Sequence, residues 1–380
     1  MRPYFAETVE VHEAGYPLEY ALRVPSLIGA RSVARGPYSY AKTRFISQWS
    51  RLLGVPEKTV FIPLFQALSG LPTFCAWQGM KRVDQCVTAF MKCAPGNMLS
   101  LDFSQFDAHV PFEVIRHVYA IMSSWFEDEY SNLFNFLLTG FLHSGLLCPP
   151  PHNYVERLRG VPSGSVLTNM VDSLVNLWVM AYATALLKGG VKILAAMSQG
   201  DDGVYAFSGN PDYNALSRIL LDELGMTIKM TPNKNLVSNQ EVMYLQNIHR
   251  KDYAPGGVFV GVRPVQRAVC NMMSHEHAPS QKAGPDGWMV KYNTYRNLQQ
   301  VNNAANHPRF EGFCLWHWHR DEYLKIALKK ILLRDEEVFK ANRLLDVGLG
   351  ERGKLPVLEL AKSPVVAMLV SLARRRRVSL

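Results

Sequence analysis

Gln199-Gly200-Asp201-Asp202 stands between two short apolar runs, 191–197 and 204–207, and the rest of the chain is best read outward from it. A turn between two strands puts both acids at a hairpin tip, where they repel each other at neutral pH unless a hard cation neutralises them. A second pair, Asp102 and Asp107, lies about a hundred residues upstream, at the end of the strand-like run 98–101. Five residues is an odd spacing for a strand and roughly 140° around a helix, so the chain must leave the strand at Asp102 and bend before Asp107. Phe103, Ser104, Gln105 and Phe106 fit that bend, with the two aromatics packing beneath. Two carboxylate clusters at strand ends are what phosphoryl transfer by two metal ions requires. The expected ions are two magnesium ions, for which manganese can substitute.

A chain of 380 residues can bury a sizeable core in two or three subdomains, and 48% apolar content excludes a disordered polypeptide. Against 32 Asp and Glu stand 41 Lys and Arg, a formal charge of +9. That balance suits a polyanionic partner, because phosphates reward clustered cations through counterion release. The cysteines at 75, 86, 93, 148, 270 and 314 form no Cys-x-x-Cys pair and read as reduced core residues of a cytoplasmic protein. His275 with His277, and His317 with His319, have no cysteine at zinc-ligand spacing, so zinc is not expected. Arg2, Glu7, Glu10 and Glu13 interrupt any secretory signal, and the apolar run 364–373 falls short of the roughly 20 residues that span a bilayer. Arg374 to Arg377 read as a solvated basic tail, with an RNA or membrane-surface contact as the sharper alternative.

Residues 1–95 mix short apolar runs with turn residues and carry Arg31, Arg35, Lys42 and Arg44. Lys42 and Arg44 alternate with Thr43 and so project from one face of an extended segment, which suits a grip on phosphate oxygens, although isolated basic pairs are usually solvated surface. Gly160-Val161-Pro162-Ser163-Gly164-Ser165 reads as a flexible loop feeding an apolar helix over 166–183 that lacks Pro and Gly. A Ser-Gly pair there can be an N-terminal cap and a hinge at once. Helices are also expected over 112–126, 131–143, 213–224 with Gly225 as its stop, and 321–345, with a strand over 226–230. Pro149-Pro150-Pro151 breaks the pattern between the second and third of these regions.

In chain order, Asp102 with Asp107, Ser163-Gly164 with Thr168, and Gly200-Asp201-Asp202 resemble motifs A, B and C of viral RNA-dependent RNA polymerases. The wording Leu101-Asp102-Phe103-Ser104-Gln105-Phe106-Asp107-Ala108-His109-Val110-Pro111, with Gly160 to Ser165, resembles the partitivirus-like branch of double-stranded RNA viruses. Ala41-Lys42-Thr43-Arg44-Phe45-Ile46 is similar to the family's basic motif F. Leu224-Gly225-Met226, leading through Thr231-Pro232-Asn233 to Lys234, is similar to motif D with its lysine, and residues 242–248 resemble the motif E hairpin.

The resemblance implies an α+β fold, a right-hand polymerase whose antiparallel-sheet palm has an RRM-like core, with partial fingers and a helical thumb. It divides the chain into partial fingers with motif F (1–95), a palm with motifs A to E and a fingers insertion near 136–162 (96–250), and a thumb-like region (251–380). It implies template-directed RNA synthesis for viral genome replication and transcription, with RNA template, nascent RNA and ribonucleoside triphosphates as partners. Capsid protein is a further candidate partner, no membrane span is implied, and the location is the host cytoplasm or the virion interior.

Residue by residue, Asp102 and Asp201 would bridge both ions, with Asp202 in support. Asp107 would accept a hydrogen bond from the ribose 2′-hydroxyl, the group that distinguishes RNA from DNA. Ser163 and Gly164 would let the loop move as the nascent pair advances, and Thr168 would orient Asp107 and the nucleotide. Lys42 and Arg44 would contact the triphosphate. Lys234 would protonate the departing pyrophosphate, with Lys229 as the competing candidate. The family's partner for the sugar-reading acid is often Asn, nine residues after the motif B serine. Here that residue is Asp172, which keeps the acceptor and loses the donor, and Asn176 one turn on is the expected compensation. Two other readings stay open. A reverse transcriptase usually carries aromatic-x-Asp-Asp where this chain has Gln199-Gly200-Asp201-Asp202. A truncated polymerase would bind RNA but need additional fingers, since motif F begins only about forty residues from Met1.

Overall fold

The structure, a computed structural model, describes residues 22, 24–33, 42–148, 153–228, 236–273, 288–338 and 357–376, with backbone alone at 30–33, 42–45, 288–289 and 357–359. The chain divides into two compact units. One comprises Met1–Ala30, Phe45–Leu245 and His249–Val260, the other Arg31–Arg44, Gln246–Ile248 and Gly261–Leu380.

Strands β1 (Ser26–Val33) and β2 (Lys42–Gln48) lead into helices α1 (Arg51–Leu68) and α2 (Met80–Cys93), which are separated by a 3-10 segment, Pro72–Gln78. Then come β3 (Met98–Ser104), a single turn α3 (Phe106–His109), α4 (Phe112–Ser123), α5 (Ser131–His143), β4 (Leu146–Cys148) and β5 (Asn153–Val155). The remainder runs α6 (Thr168–Ala185), β6 (Ile193–Gln199), β7 (Asp202–Phe207), α7 (Tyr213–Leu224), β8 (Thr227–Ile228), β9 (Leu236–Ser238), β10 (Glu241–Tyr244) and β11 (Asn247–Arg250). A small sheet of order β2-β1-β4-β5 accompanies the main one, of order β6-β7-β3-β8, with β9 also on β3.

Strand β3 is the hub of the main sheet. It pairs antiparallel with β7 along one edge and with β8 and β9 along the other. In chain order β3, its following helices, β6, β7, α7 and β8 form the β-α-β-β-α-β arrangement of RRM-like domains. Strand alternation then assigns the core. Leu99, Leu101, Phe103, Tyr205 and Phe207 face a cluster built from α4, α5, α6 and α7. Met98, Met197, Val204 and Ala206 face a second cluster with Val83, Val87 and Met91 of α2 and Val242 and Tyr244 of β10. Each large aliphatic side chain buried this way contributes about 1.5–3 kcal/mol. A one-residue slip of β3 would turn Leu99, Leu101 and Phe103 over and drive Asp102 into the apolar layer, so the register is fixed from both faces.

The helix expected over 131–143 is α5 with the same bounds, and that over 213–224 is α7, with the Asp212 side chain accepting from the amides of Asn214 and Ala215 and Gly225 left-handed at φ 64. Two expectations need correction. β3 does not end at Asp102; it continues to Ser104 because Phe103 and Ser104 pair with Ile228 and Thr227. The bend comes at Gln105, left-handed at φ 53, and Phe103 and Phe106 pack beneath it with ring centroids 5.1 Å apart. The other correction falls in the second unit, where α8 (Val265–Met273), α9 (Trp288–Asn302), α10 (Phe310–Arg320), α11 (Leu324–Leu333) and α12 (Pro364–Arg375) surround their own core. The helix expected over 321–345 is interrupted at Arg334, left-handed at φ 53. Asp335 then accepts from the Glu337 amide, and Glu337 takes bonds from Lys291 at 2.9 Å and Lys330 at 2.7 Å, contacts that a straight helix would forgo. Among the described residues no single helix is long and apolar enough to cross a membrane; α1 and the 3-10 segment meet that test only jointly, across a bend of 114°.

The β10–β11 turn consists of Leu245 and Gln246, both left-handed at φ 51 and φ 62. Two-residue hairpins of this hand suit the strand twist but favour Gly or Asn, since a Cβ there is costly. Gln246→Gly should therefore stabilise the protein by about 0.5–1 kcal/mol, read as an upward shift in the urea midpoint; an unchanged or lower midpoint would contradict the turn geometry.

Candidate active site

Asp102 and Asp202 are register partners across β3 and β7, and Gln199 pairs with Asp202 to close the β6–β7 hairpin. Directly opposed residues in an antiparallel pair share a face, with Cβ atoms about 5 Å apart. The hairpin tip is therefore Gly200 and Asp201 alone. Gly200 is left-handed at φ 61, the glycine-first arrangement that two-residue hairpins use. The pairing brings an acid near the end of β3 to two acids far downstream in sequence.

From α6 comes Asp172, only 5% exposed, with its Oδ1 buried and without a hydrogen-bond partner. Burial first, then the charges of Asp107 and Asp201, push its carboxyl well above the usual range. Asp172 therefore favours its protonated form more than an ordinary aspartate does, and that form carries a donor in place of the one an asparagine would supply. Its electrostatic neighbours place the post-β3 bend, the hairpin tip and α6 around one point.

Helix α6 also grips the tip. The Ser173 hydroxyl accepts from the Gly200 amide at 2.8 Å, and Asn176 Nδ2 donates to the Gly200 carbonyl at 2.9 Å. Ser198 donates to the Ser173 carbonyl at 3.0 Å, and Asn169 Oδ1 accepts from Gln199 Nε2 and Trp77 Nε1, each at 3.0 Å. Tyr205 donates to Asn176 Oδ1 at 2.6 Å. Asn176 therefore does not compensate for Asp172 at the sugar, because both ends of its amide are committed to the hairpin. Sequence reading passed over Asn169 and Ser173. Their signal was available: 169, 173 and 176 are spaced i, i+4, i+7, a polar stripe on an otherwise apolar helix. Gly203 completes the fit, since an added Cβ would lie 2.8 Å from the Tyr205 ring and 3.1 Å from Asn176 Oδ1.

The Gly160 to Ser165 loop is anchored. Ser163 Oγ accepts from the Ser47 amide at 2.9 Å and caps nothing; the helix N-cap is Leu167, without a side-chain bond. A Cβ on Gly164 would sit 2.1 Å from the Ser47 carbonyl oxygen. Thr168 donates to the Pro162 carbonyl at 2.5 Å, while loop and bend are joined through the backbone, Val161 N–H to the Asp107 carbonyl at 2.7 Å. Buried Glu57 of α1, another residue sequence reading missed, accepts from Ser165 Oγ at 2.5 Å and from the Val166 amide at 2.9 Å. Burial pushes its carboxyl up to about 7, with the Ser165 and Val166 bonds opposing.

Lys42 and Arg44 lie on β2, but their side chains, and Lys229, Lys234, Arg35, His275 and His277 entirely, fall outside the described residues. His317 stands 3.8 Å from Asp321, whereas His319 meets Arg376. Among the described residues no three His, Cys, Asp or Glu side chains form a ready-made cation cage. Asp102 and Asp202 stand opposed with Asp201 next in the turn, and carboxylate oxygens are the donor type that suits a hard cation.

Residues 39–300 match the sequence profile of the viral RNA-dependent RNA polymerase family. The chain belongs to that family. It is 25% identical over 308 residues to a potential RNA-dependent RNA polymerase of human picobirnavirus (strain Human/Thailand/Hy005102/-), covering 76% of this chain and 54% of that protein. It is 29% identical over 114 residues to the RNA-directed RNA polymerase of Cryptosporidium parvum virus 1 (strain KSU-1), covering 29% of this chain and 21% of that one. The crystal structure of a human picobirnavirus RNA-dependent RNA polymerase superposes with a TM-score of 0.79 at 23% identity, over 92% of this chain and 65% of the other. An insertion-loop deletion mutant of that polymerase gives 0.76 at 22% identity, over 92% of this chain and 64% of the mutant. The fold is accordingly that of a right-hand polymerase with an antiparallel-sheet palm. The chain spans about half to two thirds of the length of the picobirnavirus proteins it matches.

Glu57 yields a pH prediction. Its folded value of about 7 lies above the ordinary 4.5, so the stability it confers is complete below about pH 4.5 and is lost as pH rises through about 7. The full change is about 3 kcal/mol. In Glu57→Gln the thermal midpoint should vary less than in wild type between about pH 5 and 8; equal slopes would exclude Glu57 as the titrating group.

Proposed function

We propose that this chain carries out template-directed RNA synthesis, transferring ribonucleotides from triphosphates to an RNA 3′-hydroxyl for viral genome replication and transcription. The observation that carries this reading is the Asp102–Asp202 register pair with Asp201 at the adjoining tip. When bound, two magnesium ions would acidify the attacking 3′-hydroxyl and neutralise the triphosphate and departing pyrophosphate. Asp102 and Asp201 hold them, with Asp202 in support. Asp107 accepts from the ribose 2′-hydroxyl, and the orphaned Asp172 beside it offers both a lone pair and a proton to the same sugar edge. A deoxyribose would leave the buried Asp172 Oδ1 without this partner, which disfavours DNA precursors.

Ser163, Gly164 and Thr168 form the anchored loop that must shift when the nascent pair advances. Lys42 and Arg44 contact the triphosphate, and Lys234 protonates the pyrophosphate, a contribution of about 10²–10⁴-fold. Residues 1–95 serve as partial fingers, 96–250 as palm and 251–380 as thumb. The partners are template and nascent RNA, with capsid protein a candidate and the host cytoplasm or virion interior the setting. A second reading is a polymerase that binds RNA but needs additional fingers for turnover.

On a primed RNA template with magnesium or manganese, wild type should extend the primer and Asp201→Asn should lose activity by on the order of 10³-fold with template binding retained. Template binding without extension by wild type would favour the second reading, and preferential use of deoxynucleotides would indicate a reverse transcriptase. Asp172→Asn, which keeps one donor and one acceptor, should extend within about an order of magnitude of wild type and still prefer ribonucleotides.

A further inference from the structure

We propose that Ser173 and Asn176 are positioning residues for the metal-site turn, and that their grip sets the selectivity of the site for magnesium over manganese. The inference deepens the polymerase reading and rests on it. The tip of a two-residue hairpin normally projects into water, and its peptide groups are free to rock. Here the Gly200 amide is fixed by Ser173 and the Gly200 carbonyl by Asn176, and both side chains are 0% exposed. The second bond sets the plane of the peptide that leads directly into Asp201.

The amide orientation of Asn176 is forced. A carbonyl oxygen only accepts, so Nδ2 must face Gly200, which leaves Oδ1 for the Tyr205 hydroxyl at 2.6 Å. Tyr205 is itself buried on β7, three residues past the second acid, and Gly203 between them leaves the room that the contact needs. A closed relay therefore runs from Tyr205 through Asn176 to Gly200 and on to Asp201. Helix α6 and the hairpin hold the carboxylate's backbone from both sides. Magnesium, small and strongly hydrated, demands near-ideal octahedral geometry, whereas the larger manganese ion tolerates distorted oxygen sets. A loosened tip should consequently penalise magnesium more.

The test uses the full chain and the variants Ser173→Ala, Asn176→Ala and, as the conservative replacement, Ser173→Thr. Without nucleotide, calorimetry with magnesium or manganese alone reads binding, and hydrogen exchange reads the Gly200 amide; with primed RNA, incorporation is compared in the two metals. In Ser173→Ala the Gly200 amide should exchange roughly tenfold faster, and magnesium should bind about tenfold more weakly while manganese changes by about twofold or less. Incorporation should shift toward manganese by about fivefold or more, and Ser173→Thr should restore both ratios. Ser173→Ala removes a single oxygen, so it carries the test if Asn176→Ala does not fold. Wild type that binds cation while Ser173→Ala leaves exchange and both metal ratios unchanged overturns the inference alone. Wild type that binds neither metal overturns the polymerase reading and the inference with it.

Discussion

Asp102 and Asp202 carry like charges at directly opposed positions of β3 and β7, an arrangement that by itself destabilises a sheet. The sheet tolerates it because register is decided elsewhere. Leu99, Leu101 and Phe103 are buried on one face and Met98 on the other, and a one-residue slip that separated the acids would turn those side chains over. Apolar burial thus holds side by side two half-buried carboxylates that a cation can then satisfy.

The surroundings of the acids are organised by the same two elements. α6 brings Asp172 within reach of the charges of Asp107 and Asp201, and Ser173 and Asn176 to the turn, from one side of the helix. The loop before α6 is tied to the end of β2 through Ser47, to α1 through Glu57, and to the post-β3 bend through Asp107. Arg157 adds a charged tie, donating to the Gly160 carbonyl at 3.2 Å, so the loop is held by backbone groups, hydroxyls, one guanidinium and one buried carboxyl.

Much of this was legible from the chain alone. The acid-bearing hairpin, α5, α7 with its glycine stop, and the polymerase class all follow from apolar periodicity, turn residues and motif order. What escaped did so for physical reasons. β3 outruns its apolar pattern because its last residues are held by β8, a two-residue strand too short to announce itself. Asp172 looked like a lost donor because sequence carries no burial, and burial is what favours its protonated, donating form. Asn176 was assigned to the sugar by spacing, while its rotation about the helix turns it to the hairpin. Arg334 broke a periodic helix because Glu337 has better partners in a bent chain than in a straight one.

The hub position of β3 also governs how the protein comes off the ribosome. Its first partner, β7, lies about a hundred residues downstream and its last, β9, further still. At about 5–20 residues per second, β3 emerges roughly 5–20 s before anything can pair with it. Throughout that interval an apolar strand with both edges open, Met98-Leu99-Ser100-Leu101, can lean on helices such as α1, α2, α4 and α5 but on no partner strand of its sheet. The acids at the end of β3 act meanwhile as gatekeepers: charge beside a sticky strand discourages pairing with other chains until the intended partner arrives.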